Sequence, residues 1–562
     1  MKMFRPFVYV LLKTSMVLCL VVCSSARLKA QSAFVLPVDE PVSLAGTFCE
    51  LRLNHFHSGL DFRTGGEEGR AVCAAAYGWV SRVKVSAVGF GKVIYVDHPN
   101  GYTSVYAHLH HFEGQLAAFV DSAQQASEQF EVELFPDSGR FQFLQGELMA
   151  LSGNTGGSEG PHLHFEIRDR ISQFPLNPLA FLKVPDSIPP SISAAKMFAK
   201  KGNKFPELSS KSFSSTTDTL FFSTAEDSVC FAMASIDPDS SNRLGVYRVL
   251  MMSSDSVCFE VKMDSLNFDE SRFVNAHTTF LSNVKGATGR MHRLFRLPGN
   301  LSASFKTFGS GVVALNDTLP HFLKMAAYDY AGNMTMRVIC VQKNLPDSLK
   351  LLTPPAEELN DFSSATIKFS SDSLYWCSVP RGGAYEDYIL TLDNVPEQIT
   401  FYAPAITLTT DIEVPFHKPA KLHLPLLKND KSPLVVERVD RNGKMIESIL
   451  PDTIAEDFAE VKVRNAGTYF IRSDSNSPSF IKYTLLTDPV NQKLYSSIIF
   501  SEKGSSLKKY RVTRNGEWIL AELDAKSNSI RWKNDHPTVG PVYYRVFLED
   551  ACGNNEEYFF AE

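Results

Sequence analysis

The chain has 562 residues, a length that predicts three to four domains at roughly 150 residues each. Its composition, with 44% apolar and 21% charged residues, is typical of a globular protein and excludes a disordered or fibrous one. The formal net charge is -6, and it falls to -11 without residues 1–30, which hold five basic and no acidic residues. The sequence also lacks a cluster of consecutive basic residues. Both features argue against nucleic acid as a partner.

Residues 1–30 have the pattern of a signal peptide. Basic residues precede an apolar run from Met16 to Cys23, and small residues follow, so cleavage is expected after Ala30. The alternative is a membrane anchor, but the apolar run falls well short of the roughly 20 residues that a spanning helix needs. We therefore expect an exported protein, periplasmic or associated with the cell envelope, that is not an integral membrane protein after cleavage.

The region 31–185 is predicted to be an antiparallel β domain with one inserted helix. Short runs rich in β-branched and aromatic residues are separated by Gly and Asn turns, and a Gln- and Ala-rich segment at about Glu113 to Gln129 predicts the helix. The predicted strands are Val80–Val85, Lys92–His98, Tyr102–Leu109 and His162–Arg168.

Residues 186–190 predict a linker, because the paired prolines 189 and 190 fix an extended backbone. Alternating apolar and polar runs after it predict several Ig-like β-sandwich domains, at 191–345, 346–475 and 476–562. The whole chain is thus expected to be mainly β.

Two segments after the linker repeat the pattern strand, Asp-x-x-Gly-Asn, strand. They contain Gly332 and Gly553, and in each the glycine is expected to adopt the positive φ that closes a short hairpin.

Seven of the nine cysteines follow residue 30, and no CxxC pair occurs. Scattered single cysteines are more typical of small buried residues than of a disulfide framework, and we expect no cysteine ligand to a metal.

Three short stretches of the first domain carry chemically informative residues. In the first, His57 and Asp61 are four positions apart across Gly59, and an imidazole and a carboxylate at this spacing can fold onto one cation. Alone this is a weak signal, because the same spacing occurs by chance.

The second stretch is the predicted strand that begins at His162. Strand alternation places His162, His164 and Glu166 on one face, and Leu163, Phe165 and Ile167 on the apolar face. Two histidines side by side suit one metal ligand and one catalytic base better than they suit packing.

The third stretch contains Tyr106 and His108, which alternation would place on the same face of a strand. A single strand histidine is more often a hydrogen-bonded structural residue than a catalytic one. From this stretch alone, both readings of His108 stay open.

Together, the three stretches resemble the lysostaphin-type (LytM-like) peptidoglycan endopeptidases, whose signature is HxxxD, a His in YxHL, and GxTGxSxGxHLHFE. Here these are His57 to Asp61, Tyr106 to Leu109, and Gly153 to Glu166. The similarity covers about residues 40–183.

The resemblance implies a zinc endopeptidase that hydrolyses peptide bonds of peptidoglycan, in a cross-link or a stem peptide, by means of an activated water. It implies that His57, Asp61 and His164 bind Zn²⁺, and that His108 and His162 act on the water. The peptide part of peptidoglycan is then the expected partner, and the C-terminal β domains could bind a protein.

The chain departs from the family pattern in two ways. The connection from Phe112 to Leu148 is longer than usual and could wall one end of the groove. Additional histidines at 55, 110 and 111 could compete as ligands, but we interpret them as surface or supporting residues because the spacing to Asp61 selects His57.

Two other functions are compatible with the sequence. A catalytically inactive relative could regulate or scaffold another wall hydrolase, although such relatives usually lose zinc ligands and all five positions are filled here. Alternatively, the C-terminal two thirds could form an adhesion or binding protein with an accessory peptidase domain. A glycan platform could then include Trp376, Trp518 or Trp532, although core packing is the more common fate of tryptophan.

Overall fold

A computed structural model describes residues 34–561 except 217, 240–241, 281–289, 304–305, 345–357, 400–402, 428–431, 441–442 and 536–539. The predicted signal peptide, residues 1–30, lies outside the described residues. The described chain consists mainly of antiparallel β-sheets, with one long helix inserted in the first domain, which confirms the expected fold class. In the described part of the chain, no helix combines the length and hydropathy needed to cross a bilayer.

The first domain is an 11-stranded sheet whose main order is β1-β2-β10-β6-β5-β4-β7. Its elements are β1 (Leu44–Gly46), β2 (Leu60–Arg63), β3 (Ala71–Cys73), β4 (Gly78–Val85), β5 (Lys92–Asp97), β6 (Tyr102–Phe112), α1 (Gly114–Ser127), β7 (Val132–Leu134), β8 (Gln142–Phe143), β9 (Leu148–Ser152), β10 (His162–Asp169), β11 (Pro175–Leu176) and a 3₁₀ turn at Pro178–Ala180.

Strand β10 lies between β2 and β6, and both neighbours run antiparallel to it. The register sets His164 opposite Asp61 on one side and opposite Ala107 on the other. Leu163 and Phe165 lie on the opposite face of the sheet from His164 and are fully buried in the apolar core, as alternation predicts. This order of strands brings the three informative stretches of the sequence together.

The second region contains a seven-stranded and a six-stranded sheet, and its apolar core is continuous with that of the first domain. One pair, β14 with β24, is parallel, unlike the antiparallel pairing expected. The elements are β12 (Ser191–Ala199), β13 (Glu207–Ser212), β14 (Thr219–Thr224), β15 (Ser228–Asp239), β16 (Asn242–Leu244), β17 (Arg248–Ser253), β18 (Ser256–Lys262), a 3₁₀ helix (Phe268–Phe273), α2 (Val274–His277), β19 (Thr278–Phe280), β20 (Arg290–Arg293), β21 (Lys306–Phe308), β22 (Val313–Ala314), β23 (His321–Tyr328) and β24 (Met334–Lys343).

The third region contains two five-stranded sheets around a separate core. Its strands are β25 (Thr366–Phe369), β26 (Trp376–Val379), β27 (Leu390–Ile399), β28 (Pro404–Thr410), β29 (Ala420–Pro425), β30 (Leu434–Val439), β31 (Met445–Ile449), β32 (Thr453–Ile454), β33 (Phe458–Val463) and β34 (Gly467–Ser473).

The C-terminal region contains two four-stranded sheets, and Trp532 is buried between them. Its strands are β35 (Ser479–Thr487), β36 (Leu494–Ser501), β37 (Leu507–Arg514), β38 (Glu517–Trp518), β39 (Ala521–Asp524), β40 (Ser529–Lys533), β41 (Tyr543–Asp550) and β42 (Asn555–Ala561). Gly332 and Gly553 adopt φ of 99° and 90° in their hairpins, which confirms the predicted turns.

The inserted helix α1 faces the C-terminal region. A cavity of about 230 Å³ lies between them and is lined by Val120 and Gln124 on the helix side and by Tyr495 and Leu520 on the other. The long connection in the first domain therefore forms part of the surface on which the C-terminal region packs.

Candidate metal centre

Three side-chain atoms converge at the polar face of β10. Asp61 Oδ1 is 2.9 Å from His57 Nε2 and 2.9 Å from His164 Nδ1, and the two ring nitrogens are 3.1 Å apart. A tetrahedral zinc ion with bonds of about 2.0–2.2 Å holds its ligand atoms roughly 3.3 Å from one another. The two imidazoles and the carboxylate therefore have both the donor types and the spacing that fit Zn²⁺.

His57 is oriented by the segment that precedes it. Its Nδ1 lies 2.7 Å from the carbonyl oxygen of Thr47, so Nδ1 carries the proton and donates to that carbonyl. The other ring nitrogen, Nε2, is then the one that offers a lone pair to the cluster. The backbone around Thr47 thus selects the tautomer that a metal ligand requires.

His164 is oriented by Glu166, two residues further along β10. His164 Nε2 donates to a carboxylate oxygen of Glu166 over 3.0 Å, and this leaves Nδ1 toward Asp61. Glu166 is fully buried, yet Arg168 and His164 lower its pKa to about 2 against the opposing effect of burial. The sequence places Glu166 on the right face, but only its contact with His164 reveals its supporting role.

Without a metal, His164 holds a proton strongly. Burial disfavours the charged ring, but hydrogen bonds and attraction to Asp61 and Glu166 raise the pKa of His164 to about 9. Burial also opposes the charge of Asp61, yet His57, His162 and His164 hold the pKa of that carboxyl well below its ordinary value. The carboxylates of Asp61 and Glu166 thus stabilise positive charge at this centre.

Arg52 holds the second oxygen of Asp61. Arg52 Nη2 donates to Asp61 Oδ2 over 3.2 Å, which leaves Oδ1 for the two ligand histidines. A Cβ at Gly46 would lie 2.5 Å from Arg52 Nη2 and 2.6 Å from Asp61 Oδ2, so the glycine is needed for this contact. Sequence reasoning missed Arg52, because no part of the motif marks it.

His108 and His162 lie beside the three candidate ligands, with ring centroids 4.8 Å apart. His108 Nδ1 donates to the carbonyl of Thr155 over 2.8 Å, and His162 Nδ1 donates to the carbonyl of Gly160 over 2.8 Å. Both rings thereby keep Nε2 as an acceptor, and Nε2 of His162 is 3.4 Å from Asp61 Oδ1. Burial, with the charges of His164 and His162, lowers the pKa of His108 to about 3.

The expectation that Tyr106 and His108 share a face is wrong. Tyr106 pairs with Phe165 across the strands and packs against it in the apolar core, 5.2 Å between ring centroids. His108 reaches the polar face instead because its φ of 59° interrupts the alternation of β6. A left-handed residue in a strand breaks the regular pleat, so its own side chain leaves the face that alternation assigns to it.

The additional histidines divide into two groups. His55 is exposed and His111 is partly exposed beside Glu113, as expected of surface residues. His110 is not a surface residue, because its side chain is buried and pairs with Asp488 of the C-terminal region.

Comparison with known proteins supports the resemblance. Residues 55–128 match the sequence profile of Peptidase family M23. An uncharacterized metalloprotease of Haemophilus influenzae is 34% identical over 129 residues, which are 23% of this chain and 21% of that protein. The DD-carboxypeptidase/endopeptidase Mpg of Neisseria meningitidis is 30% identical over 127 residues, which are 22% of each chain. The chain thus matches about a fifth of the length of these curated relatives.

Among solved structures, the catalytic domain of lysostaphin from Staphylococcus simulans is similar to part of this chain. It is 21% identical, and the match covers 25% of this chain and 91% of that domain, with a TM-score of 0.18. With the M23 match, the resemblance of the first domain to LytM-like peptidases is confirmed.

Proposed function

We propose that the protein is a zinc-dependent endopeptidase that hydrolyses peptide bonds of bacterial peptidoglycan, in a cross-link or a stem peptide. The observation that carries the proposal is the convergence of His57, Asp61 and His164 beside two further histidines on a domain similar to M23 peptidases. The Neisseria relative is named a DD-carboxypeptidase/endopeptidase, and a peptidase for bonds between D-amino acids fits a peptidoglycan substrate.

Zn²⁺ would be held by His57 Nε2, Asp61 Oδ1 and His164 Nδ1. Three protein ligands are the number that catalytic zinc sites use, because a fourth position stays open. When bound, the ion supplies Lewis acidity, which activates water and polarises a carbonyl.

His162 and His108 have different tasks in this proposal. His162, with Nε2 directed to the ligand cluster, takes the proton of the attacking water and passes it to the leaving amine. His108 stays neutral because burial depresses its pKa, and its Nε2 accepts a hydrogen bond that orients the water. Each ring is held for this by a backbone carbonyl.

The same proposal includes the division of the chain into 31–185, 191–345, 346–475 and 476–562, and export to the periplasm or cell envelope. The predicted signal peptide supports export. The C-terminal β regions are proposed to bind a protein partner or the wall itself.

The proposal is tested by digestion of purified peptidoglycan with the full chain, with and without a zinc chelator, followed by mass analysis of the products. His164→Ala serves as the metal-free comparison. We expect released peptides that disappear with chelator, return with added Zn²⁺, and are absent with the variant. Undiminished release by His164→Ala would refute the zinc mechanism, and no release by the zinc-loaded wild type would favour the regulator or scaffold function.

A further inference from the structure

The C-terminal region reaches the loop that lies next to the candidate catalytic histidines. Lys526 stands in the turn between β39 and β40, and its ammonium donates to the carbonyl oxygens of Asn154 and Ser158. The contact with Ser158 measures 3.1 Å and joins residues 368 positions apart. One cation of the C-terminal region therefore bridges the two ends of the segment 154–158.

The bridged segment contacts both histidines that are proposed to handle protons. Thr155, inside the segment, accepts from His108 Nδ1 over 2.8 Å. Ser158, at its end, has its hydroxyl 3.1 Å from His162 Nδ1. A shift of the segment would therefore move the carbonyl that accepts from His108 and the hydroxyl beside His162, although the carbonyl of Gly160, outside the segment, also accepts from His162.

Within the first domain, the segment is held at Thr155, Gly156 and Gly157, and the hydroxyl of Thr155 donates to the carbonyl of Leu109 over 2.9 Å. Gly156 has a φ of 70°, and a Cβ there would lie 2.3 Å from the amide nitrogen of Gly91, so the backbones of the two loops touch. The amide of Gly157 donates to the carbonyl of Gly89 over 2.7 Å. The carbonyls of Asn154 and Ser158 accept from Lys526 of the C-terminal region.

A network of charges fixes the C-terminal region in this place. Glu522, on β39, accepts from Lys92 of the first domain over 2.8 Å and from Arg531 over 2.8 Å. The backbone amide of Lys92 donates to the hydroxyl of Thr155 over 3.0 Å. The strand that precedes the Lys526 turn is thereby tied to the same segment that Lys526 contacts.

The three candidate metal ligands take their support from other parts of the chain. Thr47, Arg52 and Glu166 orient them, and these residues lie outside the segment 154–158. The residues that orient the metal ligands are therefore different from those that contact His108 and His162.

We propose that Lys526 is a positioning residue for His108 and His162, so that hydrolysis depends on the docked C-terminal region while zinc affinity does not. The inference rests on the proposed peptidase function. It also gives the C-terminal region a task in the reaction, beyond any partner it binds.

The test compares Lys526→Met with the wild type in the full chain. Methionine keeps most of the apolar stem and removes the ammonium group. Lys509→Met is the matched control, because Lys509 pairs with Glu549 inside the C-terminal region and is exposed. The measurements are kcat and KM on a soluble cross-linked muropeptide, the dissociation constant of Zn²⁺, and amide hydrogen exchange at Gly157.

We expect Lys526→Met to lower kcat about tenfold, with KM and zinc affinity nearly unchanged. Loss of a residue that supports a catalytic site from outside typically lowers activity about 10- to 100-fold, and the lower end is expected here. Exchange at Gly157 should be faster, Lys526→Arg should restore part of kcat, and Lys509→Met should match the wild type. Unchanged kcat and exchange in Lys526→Met would overturn the inference, as would an equal loss of zinc affinity. If the zinc-loaded wild type does not hydrolyse the substrate, the proposed function fails, and exchange at Gly157 still decides whether Lys526 holds the segment.

Discussion

His110 and Asp488 are 378 positions apart in the chain, and His110 Nε2 lies 2.9 Å from Asp488 Oδ2. Both side chains are buried where the first domain meets the C-terminal region. Burial lowers the pKa of His110 to about 4, against the attraction of Asp488. The pKa of Asp488 is also below its ordinary value, because the amides of Asn491 and Val490 and the charge of Arg531 outweigh the effect of burial. The pair therefore favours a neutral histidine that donates to a carboxylate.

We predict that acid weakens this interface. The unfolded chain protonates His110 near its ordinary pKa of 6.5, whereas the folded chain does so only near 4. The stabilisation is thus complete above pH 6.5 and is lost as the pH falls toward 4, and the lowered pKa of Asp488 acts in the same direction at still lower pH. Thermal unfolding of the wild type and of His110→Gln across this range measures the effect. The variant should lose less stability on acidification, and parallel curves would contradict the prediction.

Glu166→Gln should weaken zinc binding about 10- to 100-fold, because the carboxylate that receives the Nε2 proton of His164 becomes a neutral amide. Competition with a chromophoric chelator measures the affinity. Glu113→Gln is the control, since Glu113 pairs with the partly exposed His111. Melting curves should accompany the measurement, because Arg168 loses its ionic partner in the variant. Equal zinc affinity in Glu166→Gln and wild type would show that Glu166 does not support the ligand.

Gly46→Ala should displace Arg52 from Asp61. The new Cβ would overlap Arg52 Nη2 and Asp61 Oδ2, and overpacking of this kind costs about 1–3 kcal/mol. We expect a lower melting temperature together with weaker zinc binding. Ala45→Ser adds one atom at the neighbouring exposed position of β1 and should change neither quantity. If Gly46→Ala lowers stability but leaves zinc affinity intact, Arg52 has no role in presenting Asp61.

We propose that His164 is a metal ligand and that His162 transfers protons. Substitution of these two histidines of β10 should therefore affect metal content and activity differently. His164→Ala should remove the metal and the activity together. His162→Ala should retain the metal and lose activity about 10²- to 10⁴-fold, the range for loss of a general acid or base. Metal content by mass spectrometry and kcat on the same preparations give both quantities. Loss of zinc in His162→Ala would mean that this histidine is itself a ligand.

Parts of the fold and of the site could be read from local patterns. Alternation along β10 separates His164 and Glu166 from Leu163 and Phe165, because the pleat of a strand depends only on neighbouring residues. The turns at Gly332 and Gly553 were equally predictable, because a positive φ is a local demand.

Alternation failed at His108, where the regular pleat ends. Its φ of 59° is accompanied by a hydrogen bond to Thr155, a residue from a distant loop. The sequence around His108 holds no sign of that partner, so the face on which its ring lies could not be predicted from β6 alone.

The sequence by itself determined the mainly β architecture, the inserted helix and the ligand-type residues, because periodicity and motif spacing act over a few residues. Only the tertiary structure decided that Arg52 holds Asp61, that His110 pairs with Asp488, and that Lys526 contacts the segment 154–158. The last two contacts join residues more than 350 positions apart, and they exist because the C-terminal region packs on the first domain. Such packing depends on the shapes and charges of two folded surfaces, and no local pattern of either segment records it.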